Sequence, residues 1–331
     1  MDRWRGQSAL LASVIVPVYN GAGTLGACLS ALLAQTLGKD SYEVLVVDDG
    51  STDGSAQVAA AHGVAVIRQD HAGAGAARNR GAQQARGQIL LFTDADCEPL
   101  PDWIGQMLAP FSDPGVSGVK GVYRTRQRSL VARFAQAEFE EKYRRLAGQE
   151  RIDFVDTHAA AYRREVFCEH GGFDAQFLLD EDQELSYRLA SAGCKLVFAP
   201  AARVYHRHPS TIWRYAWRKV QVGRWKVRVL ARHRAKGVRD SYTPWTQKAQ
   251  IALLPLAGAG IVAAALGLTT WLPALLLAGL GLVSTVPLSS AARRQGWAVA
   301  VCAPPLCLLR ALALVIGLVW GTAARLRADG M

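Results

Sequence analysis

Asp94 and Asp96 stand one residue apart at the end of an apolar run, Ile89–Thr93. In extended backbone, side chains i and i+2 point to the same side. Two carboxylates so placed suit a hard divalent cation, Mg2+ or Mn2+, that also binds phosphate oxygens. A second acidic cluster, Asp180-Glu181-Asp182, opens a helical pattern that runs to Ala192. Acids at a helix start balance the helix dipole. Three side by side resist joint ionisation, so one pKa is expected to rise. A base poised in that way suits removal of a proton from a hydroxyl. A third acidic pair, Asp48-Asp49, ends the run Glu43–Val47 and precedes Gly50 and Gly54, which serve a turn. Arg78 lies near the start of a helix, after a Gly-Ala loop that begins at His71. A guanidinium beside a helix N-terminus suits a diphosphate.

Something must hold these groups at the ends of strands. Ser13–Tyr19, Glu43–Val47, Val64–Arg68 and Gln88–Thr93 read as strands, the longer of them apolar throughout. Between them Thr24–Thr36, Gly54–His62 and Gly75–Ala85 read as helices. Alternating strands and helices with apolar strands indicate an α/β domain with a mostly parallel sheet covered on both faces. Sites in such sheets gather beyond the carboxyl ends of the strands. Tyr19-Asn20, Asp48-Asp49 and Asp94–Asp96 all fall there. Further on, Val116–Tyr123 reads as a strand, Leu130–Leu146 as a charged helix, Phe154–Tyr162 as extended chain and Lys195–Phe198 as a short strand.

The strings SVIVPVYN (13–20), VLVVDDGSTDGS (44–55), HAGAGAARNRG (71–81), ILLFTDAD (89–96) and DEDQELSYRL (180–189) occur in that order. Together they resemble glycosyltransferase family 2, inverting enzymes with the Rossmann-like GT-A fold, over roughly residues 13–206. The resemblance implies that Asp96 coordinates the metal and that Asp94 contacts the donor ribose or the metal's waters. It makes Asp48 or Asp49, with Asp49 favoured, an acceptor for the nucleotide base, in a pocket bordered by Pro17, Tyr19 and Asn20. It assigns Asp182 as catalytic base, with Glu181 beside it toward the acceptor and diphosphate. His206 would supply a third metal ligand, as in some members of the fold. Gln221-Val222-Gly223-Arg224-Trp225 matches the QxxRW string of processive members. There Trp225 would stack on an acceptor sugar and Arg224 would meet the diphosphate, with Gln221 beside them. His158 is expected near the acceptor, without a role.

The charge is uneven. The chain of 331 residues carries a formal +11. Residues 1–200 hold 20 Lys/Arg against 25 Asp/Glu, whereas residues 201–248 hold 13 Lys/Arg against Asp240 alone. No charged residue then appears between Lys248 and Arg293. A basic segment with Trp213 and Trp217, placed just before long apolar stretches, favours anionic lipid over nucleic acid. The expected organisation is a catalytic domain over 1–206, an interfacial segment over 207–248, and a transmembrane region over 249–322. The stretches are Ala249–Leu268, Trp271–Leu288 and Trp297–Trp320, giving two or three spans, three being favoured. Pro304-Pro305 could instead turn the last one back, and Arg310 within it should face another helix or a lipid phosphate. Ala9–Val18 lacks a cleavage site and reads as a first strand, so the catalytic domain is expected in the cytoplasm, on the inner (plasma) membrane. The six cysteines show no metal-finger spacing and read as free thiols.

The expected activity is inverting transfer from a nucleotide-sugar, a UDP-sugar by preference, to a hydroxyl of a lipid-linked or glycan acceptor. Rivals are a polyprenyl-phosphate glycosyltransferase, a processive polysaccharide synthase, and a non-catalytic membrane scaffold that binds a nucleotide-sugar. A phosphate acceptor needs no base, so the acidic triplet speaks for a hydroxyl.

Overall fold

Every residue of β1 (Ala12–Val18) is buried, as its unbroken apolar sequence requires of a central strand. It pairs in parallel with β2 (Tyr42–Asp48) on one side and β4 (Ile89–Phe92) on the other. The chain is described by a computed structural model covering residues 10–268, 271–285 and 289–329. It divides into two units, residues 1–126 with 146–207, and residues 127–145 with 208–331.

The first unit is built on one eight-stranded mixed sheet of order β3-β2-β1-β4-β7-β6-β8-β5. Its other strands are β3 (Ala65–Arg68), β5 (Cys97–Pro99), β6 (Val116–Arg124), β7 (Ala160–Arg163) and β8 (Lys195–His206). β3, β2, β1 and β4 are parallel; β7 runs against both β4 and β6. The helices of this unit are α1 (Ala22–Leu33), α2 (Ser55–Ala61), α3 (Ala74–Gln84), α4 (Trp103–Leu108), α6 (Arg164–Glu169) and α7 (Glu181–Ser191); α5 (Leu130–Leu146) packs in the second. α3 lies close on the sheet at Gly81, where an added Cβ would stand 2.5 Å from Ile15 Cγ2. Strand β8 runs well beyond the four residues expected from sequence. β6 shifts register between Lys120 and Val122, and this absorbs the residues around Pro200. The extension carries His206 opposite Cys97 of β5.

The second unit is helical: α5, α8 (Ile212–Arg232), α9 (Arg234–Val238), α10 (Trp245–Ala265), α11 (Leu272–Thr285), α12 (Ser289–Arg294) and α13 (Trp297–Asp329). Thr211 caps α8 by accepting from the Arg214 amide. The placement of residues 130–145 in the catalytic domain is corrected here. Val131, Phe134 and Ala135 of α5 share a core with Tyr215, Ala292, Val299, Ala303, Leu306 and Cys307. At its centre Glu138 accepts from Tyr215 Oη at 2.8 Å and Arg310 Nη1 at 2.6 Å, and Lys219 Nζ lies 3.1 Å away. The second Arg310 nitrogen donates to Gln250 Oε1 at 2.6 Å. Arg310 therefore does face other helices.

α13 runs unbroken through Pro304 and Pro305, so no re-entrant turn forms there. Flanking residues packed against α5 hold the helix across the lost backbone donors. Among the described residues, two helices are long and apolar enough to cross a membrane, α10 and α13. The described residues of α11, 14 in number, extend ~21 Å, against a hydrocarbon core of ~30 Å. Thr269-Thr270, between the first two apolar stretches, lie outside the described residues.

Candidate active site

The DxD strand end and the acidic helix meet through one side chain. Arg78, on the second turn of α3, donates from Nη2 to Asp94 Oδ1 at 2.7 Å and from Nη1 to Glu181 Oε1 at 2.6 Å. It is only 3% exposed. Both terminal nitrogens of Arg78, expected at a diphosphate, are engaged by these two acids in this structure. It organises the two acidic motifs, and Glu181 is its partner. The arginine holds the Asp94 carboxyl well below the ordinary range against the opposing effect of burial.

Asp96 behaves differently. Burial and the neighbouring Asp94 charge push its pKa up. Its Oδ2 faces Nε2 of His206 at 3.7 Å. That gap is too long for a hydrogen bond and has the scale of two ligands on one ion. Asp94 Oδ2 stands 3.6 Å from Nε2 of His158. The two imidazoles meet edge to face at 4.4 Å, and Tyr123 lies against both. Thr93 Oγ1 holds the His158 carbonyl at 2.9 Å. His158 thus joins the site through Asp94, which sequence reasoning left without a role. Among the described residues no three His, Cys, Asp or Glu side chains converge as a finished metal site. Asp96 and His206 are the side chains that could hold a divalent cation here. A high-pKa carboxylate facing an imidazole is a pair that a cation would stabilise. Asp94 is committed to Arg78 through one oxygen, so it joins only through the other.

At α7, Asp180 takes a left-handed conformation (φ 61°) as the helix cap. Asp182 Oδ1 accepts from the Gln183 amide at 2.7 Å. Its pKa is pushed well up, first by burial and then by Glu181, Asp180 and Asp156; Arg78 opposes the rise. Asp156 is the buried partner of Lys120, another pair that the sequence did not flag. Beside the site Cys97 is buried, with its thiol pushed up by burial and by Asp94, as a small filler would be.

The residues expected to border a nucleotide base are held by partners of their own. Asp49 is buried and accepts from the Ala72 amide (2.9 Å), the Gly73 amide (2.9 Å) and Gln69 Nε2 (2.7 Å), with His71 Nδ1 at 2.9 Å from Oδ2. Four donors fill a carboxylate's acceptor sites. Asp49 therefore shapes the 69–73 loop, and a base would have to displace one of these donors. Asp48 accepts from the Ser51 amide at 2.9 Å. Asn20 Oδ1 accepts from the Thr52 amide at 2.9 Å. Pro17 is enclosed in β1. Tyr19, 51% exposed, stacks on His71 at 4.0 Å and offers an open aromatic face. His71 and Gln69, which sequence reasoning did not single out, join this cluster through Asp49 and Tyr19; His71 opens one of the family strings, which was the available signal.

Gln221, Arg224 and Trp225 all lie on α8, in the second unit. There Arg224 stands over the Trp320 ring at 4.3 Å and Arg228 over Trp225 at 4.8 Å. Gly223, inside the same string, has a packing role: an added Cβ would stand 2.5 Å from the Leu314 carbonyl of α13.

Residues 13–171 match the family model Glycosyl transferase family 2, and the chain belongs to that family. It is 34% identical over 197 residues to Glycosyltransferase AglE of Haloferax volcanii, covering 56% of this chain and 64% of that protein. It is 32% identical over 169 residues to the undecaprenyl-phosphate 4-deoxy-4-formamido-L-arabinose transferase of Shewanella sediminis, covering 48% and 50%. The chain thus spans about half to two thirds of the length of these relatives. Among solved structures, the mannosyltransferase PcManGT from Pyrobaculum calidifontis, in complex with GDP-Man and Mn2+, superposes with a TM-score of 0.65 at 22% identity, over 96% of this chain and 92% of that one. That likeness establishes the fold: a GT-A α/β domain followed by long C-terminal helices.

Proposed function

We propose that the protein is a metal-dependent inverting glycosyltransferase that moves a sugar from a nucleotide-sugar to a hydroxyl of a lipid-linked acceptor at a membrane. The observation that carries this reading is the Arg78 clamp, which ties a DxD strand end to an acidic helix whose Asp182 has a raised pKa.

Asp96 and His206 would hold the cation, which when bound neutralises charge on the departing diphosphate. The stacked Tyr19 and His71 would receive the nucleotide base, over a loop fixed by Asp49. Asp182 takes the proton of the acceptor hydroxyl. The oxygen forms its bond to the anomeric carbon as the bond to the nucleoside diphosphate breaks on the opposite face, and a single displacement inverts the centre. Arg78 holds Asp94 and Glu181 in register, so Asp182 keeps its orientation.

Membrane attachment is supported by the second unit. α10 is largely unburied along its apolar stretch, and Trp213 and Trp297 are 86% and 80% exposed. Free apolar helices flanked by tryptophans and cations suit a bilayer and its interface. The positive-inside rule supports a cytoplasmic side for the basic segment.

A phosphate acceptor is the second reading, favoured by similarity to the undecaprenyl-phosphate transferase. Transfer assays with hydroxyl and polyprenyl-phosphate acceptors, comparing the intact protein with Asp182→Asn, separate the two. Loss of transfer supports the hydroxyl reading, and retained transfer to phosphate supports the second.

A further inference from the structure

Helix α13 is apolar on two faces. One is filled: Val299, Ala303, Leu306 and Cys307 pack with α5, and Gly317 and Gly321 meet the α8 backbone at the Val220 and Arg224 carbonyls. The other is open: Val301, Leu308, Leu312, Ile316, Val319 and Leu326 are exposed along one stripe. A helix face turned to water would be polar, so this stripe calls for lipid.

The neighbour of α13 decides how the lipid is met. α8 runs beside it in the same direction, with Tyr215 near Leu306 and Cys307, Val220 at Gly317, and Arg224 at Gly321. Yet α8 carries seven Lys/Arg and no acidic residue. A perpendicular α13 would drag these cations through the hydrocarbon, where each is costly. The 33 residues of α13 also extend ~50 Å, against a hydrocarbon core of ~30 Å. A pair of helices with cations on one side and an apolar stripe with tryptophans on the other fits the headgroup boundary of a single anionic leaflet.

Building on the membrane reading above, we propose that α13 and α8 lie together in the plane of one leaflet. The stripe from Val301 to Leu326 meets acyl chains, and the exposed α8 cations Arg214, Arg218 and Arg228 meet lipid phosphates. α13 crosses nothing, and the C-terminus remains on the side from which the chain enters α8.

Two measurements on the full chain test this. Reporters are placed after Met331 and, in a second protein, at Ser210, which precedes α8. Nitroxide labels at V301C, L312C, V319C and L326C then report depth in phosphatidylglycerol-containing vesicles. The expected result is both reporters on one side and one shared shallow depth. A C-terminal reporter on the far side, or label depths that pass through the bilayer centre, would overturn the in-plane placement while leaving membrane attachment intact. A protein that stays soluble without detergent and fails to sediment with the vesicles would instead overturn the membrane reading and this inference with it. Tighter binding to anionic than to neutral vesicles, with the difference lost at raised salt, supports the α8 contact with lipid phosphate, and equal binding to both at low salt contradicts it.

Discussion

Asp94 and Glu181 share one guanidinium. Arg78 reaches Asp94 at 2.7 Å and Glu181 at 2.6 Å, so the metal-side carboxylate and the first acid of the catalytic helix are fixed by the same buried cation. The position of each motif depends on the other through a side chain that touches both.

Removing that cation should damage stability and catalysis together. Arg78→Met leaves two largely enclosed carboxylates without a partner, and breaking a buried pair typically costs about 3–5 kcal/mol. Arg78→Lys keeps the charge but cannot fork to both acids, so it should retain more stability than activity. Urea denaturation midpoints and transfer rates of the two variants check this. Wild-type behaviour of Arg78→Met would remove the clamp from the mechanism.

Asp182 must be ionised to take a proton, and its pKa lies well above the ordinary carboxylate value. Activity should therefore fall as pH drops through that raised pKa, with the acid limb of kcat/KM above pH ~4. Glu181→Gln removes a neighbouring negative charge, which should move the limb to lower pH. Asp182→Asn should lower transfer to a hydroxyl by ~10²–10⁴-fold. A pH–rate profile for each protein settles both effects, and an unmoved limb in Glu181→Gln would contradict the assignment.

The cation is tested at Asp96 and His206. Asp96→Asn should keep the fold but lose the Mn2+-dependent rise in melting temperature and most activity. His206→Ala should weaken that rise. Excess chelator should reproduce the Asp96→Asn activity in the intact protein. Full activity in chelator would exclude the metal role.

Lys142, half-buried on α5, supplies a stability test in the second unit. Burial, followed by Lys219, pushes its pKa down to about 7 from 10.5. Between those values the unfolded chain binds a proton that the folded chain does not. Stability should therefore rise with pH across that window. Lys142→Met should raise the melting temperature near pH 7 and remove its share of the slope. A wild-type slope in this variant would contradict the burial of an unprotonated lysine.

Much of the first unit was legible in the sequence, because β1, β2 and β4 are apolar runs that stop at acids or polar residues. The order of the family strings placed Asp94, Asp96 and Asp182 near one another. The partners were not legible. Asp49 reads like an open base contact, yet its donors are the amides of Ala72 and Gly73, which any residue type would offer. Arg78 reads like a phosphate ligand because no sequence separation announces Glu181. Pro200 hid the continuation of β8 that delivers His206. In the second unit Glu138 lies in a charged helical pattern that resembles a solvated face, and only its pairing with Arg310 explains that residue within an apolar helix. Gly317 and Gly321, four residues apart, did carry a usable signal for close helix packing.

The most direct test of the proposed function is nucleoside diphosphate release by the purified full-length protein across a panel of nucleotide-sugars, with Mn2+ or Mg2+ present and the anomeric configuration of the product read by NMR. The expected result is metal-dependent release with at least one donor and a product of inverted configuration. No release with any donor, or a product of retained configuration, would contradict an inverting glycosyltransferase.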